Sequence, residues 1–133
     1  MSTPVPVDLV LHQKSRELEL IYADGERLRL PFELMRIYSP SAEVQGHSPE
    51  QAVLQTGKRE VGIVGIAPVG QYALQPTFSD GHDSGLFTWA LLRDLALNAS
   101  AYWARYERAL AAAGRSRDEP MASGGSQPST GCG

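Results

Sequence analysis

The stretch from Val61 to Leu95 constrains the architecture more than any other, because it strings together two strands, a tight turn, a polar loop and the start of a helix. Val61, Ile63, Val64 and Ile66 form a short, nearly unbroken apolar run, which predicts a strand covered on both faces. Pro68 and Gly70 close it in a Pro-Gly turn. From Gln71 the pattern alternates, with Tyr72, Leu74 and Phe78 on one side and Gln71, Ala73, Gln75 and Thr77 on the other. Pro76 has no N–H to give to a ladder, which predicts an edge position or a bulge. The loop Asp80-Gly81-His82-Asp83 falls where this strand ends and a helix begins, a junction where backbone N–H groups and side chains converge. It is therefore the first candidate site.

The rest of the chain supplies scaffold. Val5, Val7, Leu9 and Leu11 alternate with Pro6, Asp8, Val10 and His12, predicting a first strand with His12 on its less apolar, exposed face. Leu18, Leu20 and Tyr22 alternate with Glu17 and Glu19, and Leu28 and Leu30 with Arg27 and Arg29. Asp24-Gly25 between these runs signals a hairpin whose outer face pairs acidic with basic residues. Pro31 opens a helical turn over 32–36. A polar segment follows, in which Ser48 and Gln51 have the form of a capping box for a short helix ended by Gly57. Ser84 is placed to cap a long helix carrying Leu92, Leu95, Ala96, Ala99, Trp103, Tyr106 and Leu110 at helical spacing, divided near Asn98 and Ser100 and stopped by Gly114. Its aromatic residues read as core. Beyond it the apolar content nearly vanishes, predicting one domain over 1–114 and a disordered tail over 115–133.

Charge narrows the partners. A formal net charge of −3 argues against a phosphate-binding surface and hence against nucleic acid. Arg105, Arg108, Arg115 and Arg117 cluster near the end of the long helix, where cations complement its dipole in solvent. No apolar segment approaches the ~20 residues that cross a bilayer, and the first residues, MSTPVPVDLV, lack the form of a secretory signal. The single cysteine, Cys132, has no partner for an internal disulfide. A cytoplasmic protein is the expectation.

No catalytic signature stands out: there is no Gly-rich phosphate loop, nucleophile elbow, His-Glu-x-x-His helix or paired cysteine set. His82 lies between Asp80 and Asp83, while His47 and Glu43 lie in another polar segment. Two imidazoles and a carboxylate could hold iron or zinc if the fold brought them together. Asp80-Gly81 is equally well explained as a turn, and a histidine there as a structural hydrogen-bonding residue.

The segments LMRIYSPSAEV, IAPVGQYAL and FSDGHDSGLFTWALLRDL, with the earlier hairpin, resemble the gamma-butyrobetaine hydroxylase-like N-terminal domain family, formerly a family of unknown function. The resemblance runs roughly from Val5 to Leu95. It implies a small sheet-and-helix domain of a kind found alone in bacteria, at the N-terminus of gamma-butyrobetaine and trimethyllysine hydroxylases, and attached to Mrp-type iron–sulphur carrier ATPases. In the hydroxylases the domain is similar to a zinc module with three cysteines and one histidine. The histidine corresponds to His82 and the cysteines to about Ser39, Ser41 and Val44, so all three thiolates are missing here. Serine is a poor zinc ligand and valine none, so a thiolate site is not expected. The hydroxylases' iron and co-substrate sites belong to a separate domain.

The expected fold is α+β, a small, largely antiparallel sheet of about five strands with the 85–113 helical region across one face. The expected function is a non-enzymatic binding or adaptor module for an unidentified protein partner, without a cofactor. Its surface is expected to combine Arg36, Tyr38, Ser39, Ser41 and Glu43 with Asp80, His82, Asp83 and Trp89. The alternative is a metal-handling accessory for iron or zinc, linked to iron–sulphur assembly, using His47, His82 and Asp80. A homodimer through the strand edge near Pro76 is a further expectation.

Overall fold

A computed structural model of the chain describes residues 4–40 and 54–120. The alternating N-terminal runs form an antiparallel sheet of β1 (Asp8–His12), β2 (Glu17–Ile21) and β3 (Arg27–Pro31), in that order. Leu18 lies opposite Leu30 and Leu20 opposite Leu28, so one face is apolar and carries three fully buried leucines, Leu18, Leu20 and Leu30. The predicted hairpin forms, with Gly25 at φ 92° where a β-carbon would be strained. On the outer face Glu19 gathers His12 at 2.7 Å and Arg27 at 3.3 Å. His12 is thus a hydrogen-bonded partner of Glu19 and not simply an exposed residue. Its hydrogen bond, with the arginines, holds the Glu19 carboxyl below the usual value.

Pro31 leads straight into α1 (Phe32–Ile37), all six of whose residues are buried. A second antiparallel sheet follows, ordered β4 (Ile63–Val69), β5 (Ala73–Phe78) and β6 (Phe87–Thr88). Two helices close the chain, α2 (Trp89–Leu97) and α3 (Ala99–Ala113). The α+β class is as expected; the strands divide between two three-stranded sheets instead of forming one of about five. Leu18, Phe32, Ile63, Phe78, Phe87 and Leu92 share the core between the sheets and the helices.

Several local expectations are corrected. The register of β4 shifts between Ile63 and Gly65, which turns Val64 outward to 71% exposure, so this strand is not covered on both faces. Pro68 stays within the strand opposite Leu74, and the turn falls at Gly70 to Tyr72. Tyr72 is exposed, whereas Ala73, Leu74 and Pro76 are all buried. β5 is the middle strand of its sheet and Pro76 is buried in it. The Phe78 N–H points away from β4 to the His82 carbonyl at 2.9 Å, and the Pro76 nitrogen, two residues back, faces the same side. β6 pairs only with Ala73 and Leu74, so no ladder bond is missing there. Proline is tolerated because β6 is too short to reach it.

Thr88, not Ser84, caps α2, its hydroxyl accepting the Leu91 N–H at 3.1 Å. The helical region divides at Asn98 as expected, and Gly114 ends it in the left-handed conformation at φ 67°. The residues after it do not begin a loose tail. Arg117 pairs with Glu33, Asp118 with Arg59, and the Gly57 N–H donates to the Arg117 carbonyl at 2.8 Å. Arg117 is therefore a tethered residue, contrary to the solvated-end expectation. The capping box at Ser48 to Gln51 and the segment 121–133, with Cys132, lie outside the described residues.

Candidate functional site

Where β5 ends, the chain turns tightly. Gly81, at φ 91°, donates its N–H to the Phe78 carbonyl, and Phe78 donates to His82, so the loop is a closed turn. Asp80 at its tip is the meeting point of three segments. Oδ1 accepts the His82 backbone N–H at 3.2 Å; Oδ2 accepts Arg36 Nε at 2.9 Å and Lys58 Nζ at 3.1 Å. Arg36 comes from the last turn of α1 and also donates to Gln55 Oε1 at 3.1 Å. Burial pushes the Asp80 carboxyl up, but the hydrogen bonds from Lys58, His82 and Arg36 outweigh it and hold the group below the usual carboxylate value. Beside it opens a cleft of about 250 Å³ lined by Gly57, Lys58, Glu60, Val61, Ser79 and Asp80.

Behind this cluster the His82 imidazole is buried, with Nε2 2.9 Å from the Ser39 hydroxyl, itself 0% exposed. The close approach is made possible by Gly85. A β-carbon there would stand 2.3 Å from Ser39 Oγ and 3.3 Å from both Phe87 and Pro40.

The structure therefore unites Arg36, Ser39, Asp80 and His82 as expected. Asp83 contributes its carbonyl, which accepts from Gln75 at 2.7 Å, while its side chain is exposed. Tyr38 is turned to α3: its hydroxyl donates to the Tyr102 carbonyl at 3.0 Å. Trp89 does not join the site. Its Nε1 donates to the Gln71 carbonyl at the opposite end of β5, roughly 17 Å away at the usual strand rise. Ser41, Glu43, Val44 and His47 lie outside the described residues. Lys58 and Gln55 were not singled out from the sequence, and no local pattern links Lys58 to Asp80, 22 positions on.

The donor chemistry does not fit the zinc site that the resemblance implies. Where a thiolate would face His82, Ser39 offers a hydroxyl, and the two side chains hydrogen-bond to each other. Among the described residues no three His, Cys, Asp or Glu side chains gather as a metal site.

The lowered Asp80 pKa gives a pH signature. A carboxyl held below its unfolded value adds stability above about pH 4 and loses it as the pH falls through the native value. Asp80→Asn is expected to remove that share of the acid dependence, so the gap in unfolding free energy between the two proteins narrows from pH 5 to pH 2. Chemical denaturation across that range measures it.

The family model described as gamma-butyrobetaine hydroxylase-like, N-terminal, matches residues 9–93. A protein with a solution NMR structure is 49% identical, with 92% of this chain and 96% of that one covered and a TM-score of 0.75. A second solution NMR structure is 45% identical, covering 96% and 94%, with a TM-score of 0.76. A crystal structure at 1.93 Å of a protein with unknown function, of the DUF971 family from Acidithiobacillus ferrooxidans ATCC 23270, is 40% identical; it covers 71% of this chain and 98% of its own, with a TM-score of 0.59. No curated protein matches.

Proposed function

The chain belongs to the gamma-butyrobetaine hydroxylase-like N-terminal family, and from that premise we propose that it is a non-enzymatic binding module that docks on a partner protein through the surface around Asp80. One observation carries the reading. Two cations from distant segments, Arg36 and Lys58, converge on a single carboxylate at the mouth of an open cleft. With the exposed Glu60 on the same wall the four charges balance, so the cleft offers a mixed-charge surface suited to a polar segment of the partner. A plain turn needs neither cation.

Chemistry of the residues present supports binding over catalysis. Ser39 and His82 form a hydroxyl–imidazole pair, but Ser39 is sealed from solvent, where a nucleophile must reach its substrate. The partner is a protein and not a nucleic acid, in keeping with the net charge of −3. Among the described residues no helix is long and apolar enough to cross a membrane. A single cysteine suits the reducing cytoplasm.

Lys58→Glu reverses the charge on the cleft wall without touching the core. Crosslinking from a lysate, followed by mass spectrometry, is expected to return a reproducible partner with the native chain, and at least about tenfold less with the variant. Equal recovery with both, or no reproducible partner at all, sinks the proposal.

A further inference from the structure

We infer that the groove between α3 and the 55–60 segment is a binding site for an Arg-Asp peptide turn, filled in cis by Arg117-Asp118, and that its filling sets the position of Lys58. Each element of the segment after Gly114 is received by a matching group. Glu33, buried in α1, takes the Arg117 guanidinium in a two-pronged pair, with Nε at 2.7 Å from Oε2, and Trp103 lies under the same guanidinium at 4.7 Å from its ring centre. Arg59 grips the Asp118 carboxylate with two bonds, at 2.6 and 2.8 Å. The Gly57 N–H donates to the Arg117 carbonyl at 2.8 Å.

This is side-chain recognition combined with a backbone contact, the arrangement by which peptide sites read sequence. Gly57 is part of the fit. A β-carbon there would come within 3.0 Å of the Glu119 carbonyl, so the peptide lies directly on the glycine backbone. A cavity of about 330 Å³ lined in part by Arg16, Glu33, Arg59, Trp103 and Arg117 leaves room beside the seated segment. The charges are paired, not in excess, so the site selects a peptide carrying both signs over a simple anion.

The groove and the Asp80 cleft share one segment. Gly57 and Arg59 face the Arg-Asp turn, while Lys58 between them reaches Asp80. Release of the turn therefore removes the contacts on either side of Lys58 that hold its segment in place. This coupling rests on the docking proposal for its purpose, but not for its detection.

Amide exchange by NMR on the full chain tests it. The Gly57 amide reports the seated turn and the Val61 amide, bonded to the Lys58 carbonyl at 3.1 Å, reports the segment. In Arg117→Ala both are expected to exchange at least about tenfold faster, with the β2–β3 amides unchanged. Because the site is normally filled at an effective concentration in the millimolar range or above, a peptide of sequence RSRDEP at about millimolar concentration is expected to slow Gly57 again, and the same peptide with Arg117→Glu is not. Should Arg117→Ala loosen the whole fold, Asp118→Ala, which removes a more exposed carboxylate, gives the same reading. Unchanged Gly57 exchange in these variants, or no slowing by the native peptide, overturns the inference. Neither outcome bears on whether a partner is captured through Lys58.

Discussion

Gly85→Ala is expected to lower the unfolding free energy by about 2–3 kcal/mol, roughly 10 °C in melting temperature, although it adds one methyl group to an uncharged position. The added carbon would stand 2.3 Å from Ser39 Oγ, far inside contact distance, and the other near atoms belong to Phe87 and the Pro40 ring, which are not flexible ends. Ser39 cannot swing away freely, because its hydroxyl is bonded to the buried His82 imidazole. The strain therefore falls on the wall of the candidate site. Ser39→Ala removes the clashing oxygen at the loss of that hydrogen bond, a change worth about 1–3 kcal/mol when a buried polar atom is left behind. The double variant should consequently be no less stable than Gly85→Ala alone, an antagonistic coupling that a double-mutant cycle by calorimetry detects. Gly65→Ala is the control: nothing lies within 4 Å of its added carbon, and a change within about 0.5 kcal/mol is expected. Equal losses at both glycines would show that a general backbone cost of replacing glycine, not the contact with Ser39, governs the effect.

What the sequence made legible was local, and what it hid was not. The β2–β3 hairpin and the helix stop at Gly114 were readable because an Asp-Gly pair between alternating runs, and a glycine after a periodic helix, carry their own backbone geometry. Arg36, Ser39, Asp80 and His82 were expected together and are together. Lys58 was hidden because its partner is fixed by the tertiary fold. Trp89 lies away from the site because β6, the two-residue strand before it, carries the chain back to the start of β5, and so short a strand shows no alternation in the sequence. The register shift that exposes Val64 has no signature of its own. The segment from Arg115 to Pro120 was read as disordered because composition measures apolar burial, while this segment is held by ion pairs, an aromatic face and backbone bonds.

Tyr106→Phe is expected to cost about 1–2 kcal/mol near neutral pH, and the cost should vanish in alkali. The ring is 2% exposed and fills the small cluster of Ile37 and Leu110, which phenylalanine fills equally well. What it loses is the hydroxyl that donates to the Gln55 carbonyl at 2.6 Å, anchoring the segment whose side chain supports Arg36. Burial, with the nearby Glu33 carboxylate, pushes the Tyr106 phenol up to about 12. The unfolded phenol titrates near pH 10. A phenol whose native value is the higher contributes its full stability below pH 10 and loses it as the pH climbs towards 12, because only the unfolded chain readily gives up the proton. Over that window the native protein should therefore fall by about 2 kcal/mol more than the phenylalanine variant, which has no proton to lose there. Urea unfolding of both proteins from pH 8 to pH 11.5 measures the two curves, which should converge. Parallel curves would mean that the hydroxyl is reached by water and that the Gln55 contact is not what ties the 55–60 segment, and with it the Arg36–Asp80 cluster, to α3.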